Sequence, residues 1–151
     1  CDNVNNAPNI GSLFRISDAF GVRKIIFTGE NLIEIPSRKI LKTSRATEKY
    51  VDFENIKNIN EYLHTIKESH EIIAVEITEK SKQLSTYKFN FNKPIALIIG
   101  DENFGVSEKV LNNCSDTIHI NMYGKNSSMN VVQATNIVLY EITKQLQDGS
   151  R

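Results

Sequence analysis

Short apolar runs alternate along this chain with longer amphipathic stretches, and that alternation limits the possible folds more than any other feature of the sequence. Four runs rich in β-branched residues predict strands, at residues 24–27, 72–75, 95–99 and 117–120. Residues 95–99 (IALII) are apolar throughout, which is typical of a central strand covered on both faces. The sequence therefore predicts an α/β fold, with a mostly parallel sheet flanked by helices.

Four predicted helices lie before, between and after these strands. They cover residues 10–20, 56 to about 67, 107 to about 112 and 131 to about 147. Gly21 favours the end of the first helix, and Ser107 is a good N-cap for the third. The chain has neither a linker nor an internal repeat, so its 151 residues predict a single domain over residues 1–151.

Composition excludes several classes of protein. The 18 Lys and Arg residues balance the 18 Asp and Glu residues, so the chain is not a histone-like polycation. No apolar run approaches the roughly 18–20 residues of a membrane-spanning helix, and we expect no membrane partner. Two cysteines cannot form a disulfide framework, so we expect a cytoplasmic protein. With three scattered histidines, they also lead us to expect no metal site.

Positive charge is concentrated in residues 37–49, called the basic segment below. It holds five Lys or Arg residues against Glu48 alone, whereas residues 52–79 hold seven acidic residues and two lysines. A basic patch of this size can follow a phosphate backbone and make binding depend on salt. A solvated helix face is the alternative interpretation of the same pattern. The residues expected to contact RNA are Arg38, Lys39, Lys42 and Arg45.

Three polar clusters interrupt this scaffold at the junctions where α/β proteins usually place their ligands. They are residues 3–15, 100–105 and 120–130. The second cluster (GDENFG) spaces its glycines as a phosphate loop does, but Val106 stands where that loop needs lysine. Asp101 and Glu102 would repel a triphosphate and suit a cationic or hydrogen-bond-donating ligand. No G-x-G-x-x-G occurs, so nucleotide hydrolysis and nicotinamide chemistry are both disfavoured.

Some residues of the first and third clusters have two alternative interpretations. Arg15 lies in an otherwise apolar predicted helix, so it either faces a cleft or pairs with Asp18 on the same helix. Gly11, between Asn9 and Arg15 in the same helix, allows a close backbone approach. In the third cluster, Ser128 or Asn130 caps the final helix.

Taken in order, the three clusters carry the motifs of one known family. They read N-x-x-N-x-G-x-x-x-R over residues 6–15, I-G-x-E-x-x-G over residues 99–105 and I-x-M-x-G-x-x-x-S-M-N-V over residues 120–131, called motifs one, two and three below. This set resembles the SpoU/TrmH RNA ribose 2′-O-methyltransferases across essentially the whole chain. The resemblance implies a SPOUT fold with a deep C-terminal trefoil knot, one of the exceptions to unknotted chains. It also implies S-adenosylmethionine as methyl donor and a homodimer, in which we expect the partner's basic segment to complete the cleft beside Arg15.

The same resemblance assigns roles to individual residues. The implied cofactor-binding residues are Gly100, Ile120, Met122 and Met129. The implied catalytic or near-catalytic residues are Asn9, Arg15, Glu102, Ser128 and Asn130. Because a guanidinium is essentially always protonated, we expect Arg15 to stabilise developing alkoxide charge and to grip a phosphate, not to act as a base. We expect Glu102 and Asn9 to orient it.

Some positions depart from the family pattern. Asn121 stands where proline is common, and only Cys1 and Asp2 precede Asn3, where the family has an apolar strand. We therefore expect an N-terminally truncated domain. The resemblance favours tRNA, with a D-loop guanosine as target, over ribosomal RNA. A non-catalytic RNA-binding module and a base methyltransferase are the alternatives.

Overall fold

Every pairing between strands in the described residues is parallel, as the alternating pattern predicts. A computed structural model describes residues 1–29 and 34–149 of the chain. Its strands are β1 (Lys24–Thr28), β2 (Asp52–Ile56), β3 (Glu71–Val75), β4 (Lys82–Gln83), β5 (Ile95–Ile98) and β6 (Asp116–His119). β1 pairs with β2, and the other four strands form a sheet in the order β4-β6-β3-β5.

Residues 1–3 lie between the two sheets and join them. Asp2 forms parallel bridges with Thr28, at the end of β1, and with Gly100, just after β5. The main-chain N–H of Asp2 donates to the Ile99 carbonyl at 2.7 Å. These residues therefore hold the strand position that the family resemblance places before motif one, and the two sheets form one layer.

All four predicted helices are present, with shifted ends. The helices are α1 (Ala7–Ala19), α2 (Arg38–Ser44), α3 (Ile59–Ile66), α4 (Glu108–Leu111) and α5 (Val131–Gly149), with 3₁₀ turns at Thr47–Lys49 and Leu84–Thr86. α1 begins earlier than predicted, because the Asn6 side chain accepts the Asn9 N–H at 3.1 Å. α3 begins later than predicted, since Ile56 ends β2 and Asn58 caps the helix. None of the helices in the described residues combines the length and the apolar composition needed to cross a membrane.

The sequence pattern misses α2, β2 and the two-residue strand β4. α2 has seven residues and buries only Ile40 and Ser44, so its apolar periodicity is too short to detect. β2 (DFENI) lies at the edge of the layer and carries acidic residues in place of an apolar run. α2 and β2 are held in place by their neighbours, α1 and β1, more than by their own sequence.

β5 is covered on both faces, as its uninterrupted apolar sequence predicts. Ile98 belongs to a cluster with Leu63 of α3 and Val110 of α4. Leu97 packs against a second cluster, which contains Val138 of α5. This packing fixes the carboxyl end of β5, and motif two directly after it, near the middle of the layer.

Candidate active site

The carboxyl ends of β3, β5 and β6 open onto a cavity of about 320 Å³, called the acidic cavity below after its carboxylates, Glu76, Asp101 and Glu102. Motifs two and three supply most of its wall. All four predicted cofactor-binding residues line it: Gly100, Ile120, Met122 and Met129. Two predicted catalytic residues, Glu102 and Ser128, line it as well. The fold therefore brings motifs two and three together at one edge of the sheet.

Gly100 and Gly105 let the loop of motif two fold back tightly beside this cavity. A Cβ on Gly100 would collide with the carbonyl of Gly105, a backbone group that cannot swing away. Gly105 has φ +67°, and a Cβ there would collide with the Glu76 carboxylate. Motif two thus requires glycine at both positions for steric reasons.

The two carboxylates of motif two differ in their contacts. Asp101 Oδ1 accepts the N–H groups of Asn103 and Phe104, at 2.8 and 3.0 Å, so this carboxylate holds the turn. Glu102 is exposed and makes no hydrogen bond with the described residues. Partial burial, and then the neighbouring charge of Asp101, raise the pKa of Glu102 above that of an ordinary glutamate. Glu102 is therefore the carboxylate of motif two that is free to contact a ligand.

Sequence reasoning misses two polar groups in the cavity wall, Glu76 and His119. The Val106 N–H donates to Glu76 Oε2 at 2.8 Å and the Ile77 N–H donates to Oε1 at 2.9 Å, so this carboxylate is fixed between β3 and motif two. His119 Nδ1 lies 2.9 Å from the Ser81 hydroxyl. The signal that could have found both residues is position, because each lies at the carboxyl end of a predicted strand.

The lining of the acidic cavity carries negative charge. Three carboxylates line it, and no Lys or Arg lies among its described lining residues. A cleft lined by one sign of charge concentrates the field within it. The site therefore favours a cationic ligand over a phosphate, in agreement with the expectation from motif two. Within residues 1–29 and 34–149, no three His, Cys, Asp or Glu side chains are grouped so that they could hold a metal ion.

Motif one meets motif three through two asparagines. Asn130 Nδ2 donates to Asn9 Oδ1 at 3.3 Å. Asn130 Oδ1 accepts the Val132 N–H at 2.9 Å, so Asn130, and not Ser128, caps α5. Val131, next to Asn130, is part of the acidic cavity. The asparagine pair therefore lies at the border of that cavity.

Arg15 lies apart from these groups within the chain. Its side chain is exposed and makes no hydrogen bond or ion pair with the described residues, Asp18 included. On a straight helix, the six residues from Asn9 to Arg15 cover about 9 Å along the axis and turn the side chain onto a different face. The expected contacts of Arg15 with Asn9 and Glu102 are therefore not made inside one chain.

The basic segment forms α2 and the turn after it, packed on α1. Its expected RNA-binding side chains are all exposed: Arg38, Lys39, Lys42 and Arg45. The opposite face of α2 approaches α1 closely at Gly11, where a Cβ would collide with Thr43, and Thr43 Oγ1 donates to the Pro8 carbonyl at 3.0 Å. The four cations thus form a charged surface beside the helix that carries Asn9 and Arg15.

Residues 1–140 match the sequence model of the SpoU rRNA Methylase family, and the chain belongs to this family. A curated relative, the tRNA (guanosine(18)-2′-O)-methyltransferase of Aquifex aeolicus (strain VF5), is 30% identical over 149 residues, which is 97% of this chain and 68% of that protein. The chain spans 37% and 62% of the length of two other curated relatives that it matches.

Solved structures of the family share the fold. The A. aeolicus TrmH/SpoU tRNA modifying enzyme is 28% identical, with a TM-score of 0.87 over 99% of this chain and 74% of that chain. The SpoU methyltransferase AviRb from Streptomyces viridochromogenes, solved in complex with the cofactor AdoMet, is 24% identical, with a TM-score of 0.86 over 97% of this chain and 59% of that chain. These matches confirm the predicted SpoU-type α/β fold, and its knot stays a prediction.

Proposed function

We propose that this domain transfers a methyl group from S-adenosylmethionine to the 2′-hydroxyl of a ribose in RNA. The observation that carries the proposal is the acidic cavity, which motifs two and three form beside the Asn9–Asn130 contact. The names of the relatives support it, since the A. aeolicus protein is a guanosine 2′-O-methyltransferase of tRNA and AviRb was solved with AdoMet.

The acidic cavity suits S-adenosylmethionine, which when bound supplies an electrophilic methyl group on a positively charged sulfonium. Glu76, Asp101 and Glu102 would place negative charge around that cation. Glu76 and Asp101 accept main-chain N–H groups, so Glu102 is the carboxylate that would turn toward the sulfonium. A nucleoside triphosphate would meet the same carboxylates with the wrong charge. The uncharged parts of the cofactor would contact Gly100, Ile120, Met122 and Met129.

Positioning and charge stabilisation would carry the reaction, because a ribose hydroxyl is a weak nucleophile at neutral pH. Arg15 would stabilise the developing negative charge on the 2′-oxygen and hold the adjacent phosphate in a bidentate contact. Asn9 and Asn130 would fix the edge of the site through their hydrogen bond. Ser128, exposed in the cavity wall, would contact the substrate.

Arg15, which contacts neither Asn9 nor Glu102 of its own chain, would contact a second copy of the chain. In a homodimer whose interface is formed by α1 and α5, Arg15 of one copy would act beside the acidic cavity of the other copy. The basic segment of the partner would complete the cleft beside Arg15. α5 carries Ile137 and Tyr140, which are 39% and 61% exposed and offer apolar surface for this contact. Solution scattering should give twice the mass of one chain. A monomer with full activity would contradict the dimer.

RNA is proposed to bind along the basic segment, whose exposed cations would contact phosphates. Between the RNA classes, the proposal takes tRNA as the substrate, because the relative at 30% identity is named for tRNA. Ribosomal RNA is the alternative, in keeping with the family's description.

A methyl-transfer assay with methyl-labelled S-adenosylmethionine tests the proposal. An unmodified tRNA transcript should become labelled, and a ribosomal RNA transcript of similar length should be labelled less. Stronger labelling of the ribosomal transcript would reverse the choice of substrate. If neither RNA is labelled although both RNA and cofactor bind, the domain is a non-catalytic RNA-binding module.

A further inference from the structure

A second cavity, of about 370 Å³, lies at the carboxyl ends of β1 and β2. We call it the amide cavity, because five asparagines line it: Asn3, Asn5, Asn55, Asn58 and Asn60. None of them belongs to the catalytic or cofactor-binding residues described above. The amide cavity shares the carboxyl edge of the parallel sheet with the acidic cavity, and α/β sheets bind ligands at this edge.

Two of these asparagines have side chains without a partner among residues 1–29 and 34–149. Asn5 and Asn55 are exposed, and their side chains make no hydrogen bond with the described residues. By contrast, Asn58 caps α3, and Asn60 Oδ1 accepts a hydrogen bond from Asn113 at 3.0 Å. Asn5 and Asn55 therefore offer a ligand two complete amides, each with a donor and an acceptor.

The charge of the amide cavity differs from that of the acidic cavity. Asp2 Oδ1 accepts a hydrogen bond from Asn3 Nδ2 at 2.9 Å, and Asp2 Oδ2 accepts the Ser107 N–H at 3.1 Å, so both carboxylate oxygens are engaged. Lys57 is the one cation among the described lining residues, and it forms no ion pair with them. The described lining thus combines uncharged amides with one carboxylate, whose oxygens are both engaged, and one cation that forms no ion pair with the described residues.

Apolar side chains complete the wall of the amide cavity. Ile10 and Phe27 are buried in it, and Ile59 is half-buried. Asn3 has φ 58°, and its Oδ1 lies 2.9 Å from the place that a Cβ on Gly29 would take, so Asn3 and Gly29 pack closely at this side of the cavity. An apolar wall edged by unpaired amides matches a nucleobase, which has an apolar face and a hydrogen-bonding edge.

The two cavities meet at motif two and at the start of α1. Gly105 lines the acidic cavity, and Ser107, two residues later, lines the amide cavity. On α1, Ile10 lines the amide cavity, while its neighbour Asn9 contacts Asn130 at the border of the acidic cavity. A ligand that fills both cavities therefore passes the asparagine pair of the proposed active site.

We propose that the amide cavity binds an unstacked nucleobase of the RNA substrate, through the amides of Asn5 and Asn55, with Lys57 on the flanking phosphate. The inference rests on the proposed function, which makes RNA the substrate. Proteins that read RNA sequence bind bases splayed out of the strand and contact their edges. The neutral lining suits an uncharged base, and the free cation suits the phosphate beside it. The amide cavity then selects the nucleotide, and the acidic cavity holds the methyl donor.

Nuclear magnetic resonance on the ¹⁵N-labelled chain tests the site directly, with the four nucleoside 5′-monophosphates as probes. At least one of them should shift the side-chain amide signals of Asn5 and Asn55. Ribose 5-phosphate, which lacks the base, is the matched control and should leave those two signals in place. Equal shifts with ribose 5-phosphate, or no shift of the two amides with any nucleotide at millimolar concentration, would overturn the proposal. The signals of Gly100 and Gly105 report separately on any binding in the acidic cavity.

A pair of substitutions tests the same site in the complete reaction. Asn5→Ala with Asn55→Ala should raise the KM for RNA about tenfold, because two hydrogen bonds to the base are lost, with kcat and cofactor affinity near wild type. Asn112→Ala removes an exposed asparagine outside both cavities and is the control. An unchanged KM in the double variant rejects the base-binding role. If the wild-type chain transfers no methyl group at all, the proposed function fails, and the nucleotide shifts still decide whether the amide cavity binds a base.

Discussion

The acidic cavity and the amide cavity lie at the same edge of one parallel layer, yet their linings differ in charge. The acidic cavity, after β3, β5 and β6, presents Glu76, Asp101 and Glu102 and no cation among its described lining residues. The amide cavity, after β1 and β2, presents uncharged amides, the cation Lys57 and one carboxylate, Asp2, whose oxygens are both engaged. Parallel α/β sheets place their ligand sites at this edge, and because the loops after each strand differ in charge, we expect the two cavities to take different ligands.

The two charge environments match the two reactants of the proposed methyl transfer, which are a positively charged sulfonium cofactor and a negatively charged RNA. Phosphates next to three carboxylates would be repelled, so the RNA strand belongs on the side of Lys57 and the basic segment. Asn9 and Asn130 mark the border between the two sides. A substitution on one side should therefore leave ligand binding on the other side unchanged.

The largest effect is expected at Arg15, which lines neither cavity. Arg15→Ala should lower the rate of methyl transfer by about 100- to 1000-fold, since a group that stabilises charge at the reacting oxygen is removed. Binding of cofactor and of nucleotide should stay near wild type, as measured by calorimetry. Arg23→Ala, an exposed arginine just after α1, is the control. Arg15→Lys keeps the positive charge but loses the bidentate contact, so near-normal turnover in this variant would contradict a bidentate role for the guanidinium.

Gly100→Ala should disable the acidic cavity selectively. The new Cβ collides with the backbone at Gly105, so motif two must move, and cofactor affinity should fall roughly 10- to 100-fold. Gly124→Ala, in motif three, meets nothing within 4 Å and should bind cofactor like wild type. Calorimetry with S-adenosylmethionine measures both. Nucleotide shifts at Asn5 and Asn55 should persist in Gly100→Ala, and their loss would mean that the two cavities are not independent.

The basic segment should change RNA binding without changing either cavity. Lys42→Ala with Arg45→Ala should weaken RNA binding about fivefold, and the slope of log K against log salt should fall by roughly 0.7 for each cation that contacts a phosphate. A salt titration of RNA binding measures both quantities. Lys93→Ala, an exposed lysine outside the segment, is the control. An unchanged slope would mean that the basic segment is a solvated helix face that does not contact RNA.

The smallest effect is expected from the charge of Glu102. Because its pKa is raised by partial burial and by Asp101, Glu102 takes up a proton at a higher pH than an ordinary glutamate does. The acidic cavity then loses negative charge as the pH falls, so affinity for the cationic cofactor should decrease toward acid. Glu102→Gln should lower that affinity about threefold at neutral pH and flatten its pH dependence. A pH dependence identical to wild type would exclude Glu102 from contact with the cofactor's charge.

Helices and strands with regularly spaced apolar residues could be predicted from the sequence. Elements that depend on tertiary contacts with neighbouring elements could not. β5 and α5 are predicted because their apolar residues are numerous and regularly spaced. β2 and α2 are missed because one is an acidic edge strand and the other buries only two side chains. Their positions follow from contacts with β1 and with Gly11, which are distant in sequence.

The candidate site shows the same division. Motifs two and three predict the residues of the acidic cavity, because both loops follow apolar strands, and in motif two the backbone requires glycine at Gly100 and Gly105. Glu76 and the amide cavity are missed, since single polar residues after β3 and β2 have no spacing that marks them. The separation of Arg15 from Asn9 and Glu102 is missed too, because motif spacing does not show toward which face of α1 a side chain points.

Mass analysis of the nucleosides from RNA treated with the chain and isotope-labelled S-adenosylmethionine tests the central claim most directly. Ribose and base methylation separate on fragmentation, because a ribose methyl leaves with the sugar and a base methyl stays with the base. We expect label in 2′-O-methylated nucleosides, formed about 100- to 1000-fold more slowly when Arg15→Ala replaces the wild-type chain. Label on a base would contradict this expectation, and so would unlabelled RNA after complete binding of cofactor and substrate.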